Sequence, residues 1–117
     1  MYSIVSTAII HGIQSVPISV EADVSDGMPV FEMVGFLASE VQEAKERVRT
    51  ALKNCGYALT PKHITINFTP ANIRKSGSGF DLPVAVAVLT AFGYVRQELV
   101  GEYFVTGEVG LNGKVQP

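Results

Sequence analysis

Polar and apolar residues alternate strictly along one early stretch of the chain. Val16, Ile18, Val20, Ala22 and Val24 hold every second position, separated by Pro17, Ser19, Glu21 and Asp23. A period of two buries one face of a strand and wets the other, so residues 16–24 are expected to form one. Pro17 lacks an amide donor and marks a strand start or a sheet edge. Residues 3–11 are an apolar, β-branched run and predict an earlier strand. Ser25-Asp26-Gly27 is a turn signal, and Val30 to Val34 reads as the return strand of a hairpin.

The period then changes. Val41, Ala44, Val48, Ala51, Leu52 and Cys55 recur at helical spacing on one stripe. Ser39 and Gln42 fit a capping box at the start of this helix, Glu43 sits one turn before Arg47 as an ion pair, and Gly56 ends it. Cys55, on the apolar stripe, reads as a small core residue. His63 to Thr69 returns to period two, with Ile64, Ile66 and Phe68 inward. Pro70 to Gly79 is rich in turn formers. From Asp81 to Phe92 there is almost no polar face, which predicts a central buried helix with Asp81 as N-cap, Pro83 in its first turn and Gly93 as its stop. Tyr103 to Val109 reads as a last strand, and Asn112-Gly113 as a hairpin-type turn. The order β-β-β-α-β-α-β argues for an α+β sandwich with helices on one sheet face, a single domain over 1–117.

Charge narrows the function classes. Nine Lys and Arg against eleven Asp and Glu leave a formal net charge of -2, without the basic excess expected of a dedicated nucleic-acid binder. A single cysteine rules out an internal disulfide and fits a reducing cytoplasm. The apolar start from Ile4 to Ile10 is too short to span a bilayer and has no basic flank. A cytoplasmic protein with no membrane partner is the expectation.

The familiar chemical motifs fail on spacing. Five residues separate Gly107 from Gly113, where a phosphate loop needs four, and Lys114 is followed by Val115 rather than a hydroxyl residue. Gly77-Ser78-Gly79 opens a helix, but Leu82 stands where a dinucleotide fingerprint needs glycine. His11 and His63 lie at strand ends without a nucleophile motif, and no metal-ligand cluster is visible. No catalytic, cofactor-binding or metal-binding residue is expected. Lys62, His63, Arg74 and Lys75 bracket one strand and its following loop, and are the candidates for phosphate or partner contact. No aromatic residue is interleaved with them, so a base-stacking platform is not evident. Solvated surface charge is the simpler account.

Two segments carry a family resemblance: Pro70 to Pro83, with Phe80-Asp81-Leu82-Pro83 its most specific part, and Thr106 to Pro117. With the opening stretch through Met33-Val34-Gly35-Phe36, they make the chain resemble the amino-terminal domain of the ComM/YifB magnesium chelatase-related AAA+ family. One departure is Leu37-Ala38-Ser39, where members usually read Leu-Pro-Asp. The resemblance implies a ribosomal-protein-S5-domain-2-like fold, shared with the proteolytic domain of Lon and noted for a left-handed βαβ unit. Laid on Lys75 to Asp81, the Lon nucleophile motif puts Gly79 at the serine position, with Ser78 one residue away. Its partner lysine would lie beyond Pro117, so a Ser-Lys hydrolase is disfavoured. The end at Pro117 resembles a cut partway through the domain's usual extent, with a fragment or a stand-alone remnant as the two readings. In the family an AAA+ ATPase module follows, which alone would hold ATP and magnesium, and some members are hexameric helicases promoting branch migration in natural transformation. The resemblance therefore implies an accessory role in DNA contact or ring assembly, with the chain's own ATPase module, further copies in a ring and DNA as partners. A purely structural oligomerisation module is the alternative.

Overall fold

The computed structural model describes residues 1–57, 59 and 61–116; the His11 side chain, read above as lying at a strand end, falls outside the described residues. Four strands, β1 (Tyr2–His11), β2 (Gln14–Ser25), β3 (Val30–Val34) and β4 (His63–Thr69), form one sheet in the order β1-β2-β4-β3. The first hairpin pairs Tyr2 with Asp23 through to His11 with Gln14. Pairing of β2 with β4 begins only at Ser19, so Pro17 lies where that side of β2 has no neighbouring strand and its missing donor costs no bond.

β3 overturns one expectation. It does not return beside β2 but pairs parallel with β4, Val30 opposite His63 and Val34 opposite Asn67. The reason is competition: the β2 edge goes to β4, whose Ile64, Ile66 and Phe68 meet Val24, Ala22 and Val20 on the buried face. A parallel neighbour needs a crossover. Two helices supply it, α1 (Ser39–Gln42) and α2 (Ala44–Asn54), broken at Glu43 where one continuous helix was expected. The predicted capping box is also absent. Ala38 is the N-cap, without a side-chain cap bond, and the Gln42 amide instead donates to the Leu37 carbonyl at 3.1 Å.

α3 (Asp81–Ala91) is the central helix its apolar sequence predicts, with Val84, Ala87 and Val88 fully buried. It packs on β1, β2 and α2. Alanines at 85, 87 and 91 keep its surface low, and the Ser3 hydroxyl donates to the Ala87 carbonyl at 2.7 Å. A short helix not foreseen, α4 (Gln97–Val100), follows. The expected strand from Tyr103 to Val109 shrinks to β5 (Glu108–Val109), which pairs with β6 (Val115–Gln116) around the anticipated Asn112-Gly113 turn. Phe104 makes only an isolated bridge to Ser6.

Cys55 is a further correction: it is exposed. The stripe leaves the core after Leu52, and the thiol rests on the Asn112-Gly113 turn, 3.9 Å from the Asn112 carbonyl. Neighbouring Asn54 donates to the Leu111 carbonyl at 2.8 Å, so the end of α2 seats the terminal hairpin. No helix among the described residues is long and apolar enough to cross a membrane.

Candidate functional site

The loops after β3 and β4 lie side by side at one end of the sheet, and Lys75 fastens them. Its backbone N–H donates to the Phe36 carbonyl at 3.0 Å and its own carbonyl accepts from Ala38 at 2.9 Å. Its side chain runs inward, fully buried, and the ammonium donates to the carbonyls of Gly35, at 2.6 Å, and Pro70. Desolvation without a carboxylate partner pushes the amine below a lysine's ordinary pKa. Gly35 has φ 124°, and a Cβ there would run into the Phe68 carbonyl oxygen, so this approach admits only glycine. Phe36 takes a left-handed φ of 61° and stays exposed. Lys75 therefore lies inside, its ammonium held by two main-chain carbonyls and not presented at the surface.

Asp81 organises the next layer. It is not the N-cap but the first helical residue, with Phe80 before it, and its carboxylate is buried. Arg47 reaches across from α2 in a two-pronged pair, Nε to Oδ2 at 2.7 Å and Nη2 to Oδ1 at 2.9 Å. The Val109 N–H donates to Oδ2 at 3.1 Å, so one carboxylate joins α2, α3 and β5. The hydrogen bonds that Arg47 donates to Asp81 raise the guanidinium pKa further. The anticipated Glu43 pair is present on the outer side of Arg47 at 3.5 Å. Sequence patterning missed Asp81 as a tertiary anchor, since only its local value as a cap was visible.

Gly79 is the residue that the resemblance to Lon sets at the serine position. A Cβ at Gly79 would lie 2.8 Å from the Thr106 hydroxyl, which donates to the Gly79 carbonyl at 3.3 Å. A side chain at position 79 would therefore meet the Thr106 hydroxyl.

The four candidate contact residues do not converge. Lys62 pairs with Asp26, and the His63 ring lies 3.4 Å from Glu32. Arg74 is exposed, but it follows the far end of β4, about 20 Å from His63 at strand rise. The open face of the sheet is acidic instead. Register places Glu21, Asp23 and Glu32 there. Glu21 accepts hydrogen bonds from the Tyr2 hydroxyl at 2.8 Å and the Asn67 amide at 2.9 Å, and the first of these raises the Tyr2 pKa.

A cleft of about 620 Å³ opens on the other side, between α2 and the starts of β3 and β4. Val30, Phe31, Leu59 and Ile64 give it apolar walls, and Arg49, Lys53 and Lys62 give it cations against the single carboxylate of Glu46. Among the described residues no three or more His, Cys, Asp or Glu side chains gather as a metal site.

Residues 20–117 match the profile of the family described as ChlI, subunit ChlI of Mg-chelatase. The chain belongs to this family. It is 41% identical over 114 residues to the uncharacterized protein YifB of Escherichia coli, covering 97% of the chain and 22% of that protein. Against the competence protein ComM of Haemophilus influenzae, identity is 34% over 105 residues, covering 90% of the chain and 21% of ComM. An uncharacterized protein of Mycobacterium tuberculosis, Rv2897c, is 33% identical over 108 residues, covering 92% and 22%. The match to YifB and ComM assigns the chain to the amino-terminal domain of the magnesium chelatase-related group. It spans about a fifth of the length of these relatives.

Proposed function

We propose that this chain is a non-catalytic accessory domain of a magnesium chelatase-related AAA+ ATPase, and that it serves assembly of that ATPase through protein contacts rather than gripping DNA. The position of the cations carries this reading. Lys75 is internal, Arg74 and the Lys62–His63 pair stand at opposite ends of β4, and both members of that pair meet carboxylates. Phosphate binding gains affinity from several cations acting together, and the acidic open face repels a polyanion. The mixed sheet with helices on one face supports an S5-domain-2-like classification. Glycine at position 79, with Thr106 packed against it, speaks against a Ser-Lys hydrolase. ATP and magnesium belong, on this reading, to the ATPase module, and any branch migration of DNA to the whole assembly.

The test pairs sedimentation with fluorescence anisotropy on single-stranded and branched DNA at two salt concentrations. Self-association without salt-sensitive DNA binding is expected. DNA affinity that falls steeply with salt, and is lost in Arg74→Ala, sinks the reading in favour of direct DNA contact.

A further inference from the structure

The two edges of the sheet are treated differently. The outer edge of β1 is covered: the Gln97 side chain bonds both the N–H and the carbonyl of Ile4, at 2.9 and 2.8 Å, and the Val105 N–H donates to the Ser6 carbonyl at 2.8 Å. β3 closes the sheet on the other side, and among the described residues nothing bonds its outward backbone groups. An unpaired edge is a template for another strand unless the protein blunts it. β3 has no proline and no lysine, and carries one charge, Glu32.

Beside this edge lies the cleft, which Val30 and Phe31 of β3 help to line. Its charge runs against that of the molecule. The chain is net -2, whereas the cleft holds three cations and one carboxylate. Glu46 offsets Arg49 at 3.7 Å and Asp26 offsets Lys62. The Lys53 side chain has no ion pair or hydrogen bond among the described residues, and the residue is exposed. An extended chain laid on β3 would turn alternate side chains to opposite faces, an acidic set over the cleft and its cations and the other set over the open face beside Val30 and Val34.

We propose that the open edge of β3 and the basic cleft beside it receive an extended, acidic segment of a partner protein as an added strand. Main-chain pairing supplies the docking and the cleft supplies the choice of sequence, the usual division in strand addition. This rests on the protein-contact reading above, yet the two fail separately, because that reading is tested by DNA binding and self-association.

The experiment uses the full chain and a fluorescein-labelled peptide of about ten residues alternating Glu or Asp with Val or Leu. Two versions carry backbone N-methyl groups on alternate residues, one set of odd and one of even positions. Binding is expected for the parent peptide and for one methylated version only, since just one edge of the peptide faces β3. Lys53→Glu should weaken binding about fivefold, the scale of an exposed charge contact. Equal binding of both methylated versions overturns the added strand. Equal binding of a peptide with Lys for each acidic residue overturns the charge assignment. No peptide binding, displacement by single-stranded DNA, or self-association lost when the outward N–H of β3 is removed by Met33→Pro each overturns the proposed occupant.

Discussion

Replacing Arg47 by alanine tests the central structural claim, that one buried carboxylate holds three elements together. The Asp81 side chain is only 1% exposed, and in the variant it keeps the Val109 N–H but loses both guanidinium bonds. Stranding a buried charge by removing its partner costs about 3–5 kcal/mol. The carboxylate retains one donor, so the lower end of that range, about 3 kcal/mol, is expected. Arg47→Lys keeps the charge but not the fork, and should lose about 1–2 kcal/mol. The double variant Arg47→Met with Asp81→Leu should be less destabilised than the sum of its singles, because neither charge is left alone. Urea unfolding at neutral pH measures the wild type, the two Arg47 variants, the double variant and its two singles, and a shift in midpoint at constant slope isolates stability. A loss below about 1 kcal/mol in Arg47→Ala, or strict additivity in the double variant, would refute the buried-pair argument.

Further consequences can be checked at other positions. Burial lowers the Lys75 pKa in the native protein, so between that value and the ordinary one the unfolded chain binds the extra proton and stability rises with pH. Comparing urea midpoints at about pH 8 and about pH 10, wild type should gain relative to Lys75→Met, and a constant difference contradicts the buried amine. Gly79→Ser, which restores the Lon-type residue, should strain the contact with Thr106 and gain no labelling by a serine-reactive fluorophosphonate; labelling would reopen the hydrolase reading. Cys55 should react with a disulfide reagent in the folded protein at a rate close to that in denaturant, since its side chain is exposed. Protection would return it to the core.

Patterning located the strands and the central helix because each buries a repeating set of side chains. Val20, Ala22, Ile66 and Phe68 are fully buried as their period requires, and Val84 to Ala91 fills the space above them. What it could not reach is anything decided by a partner distant in sequence. β3 looked like a hairpin return because it follows a turn, and nothing local records that β4, some thirty residues on, takes the β2 edge. Lys75 looked like a surface charge because its neighbours are Arg74 and Ser76, both exposed, whereas its end point is two carbonyls, one of them at Gly35. Asp81 looked like a cap for the same reason. These failures share a cause that bears on function. Residues singled out by chemical type in one loop were sorted by the fold, Lys75 and Asp81 to the inside as fasteners and Arg74 to solvent. The cations left to face a cleft, Arg49 and Lys53, come from a helix face that carried no motif. A contact surface of this domain is therefore to be sought where the sheet ends, beside α2, and not in the loop that carries the family's most specific residues.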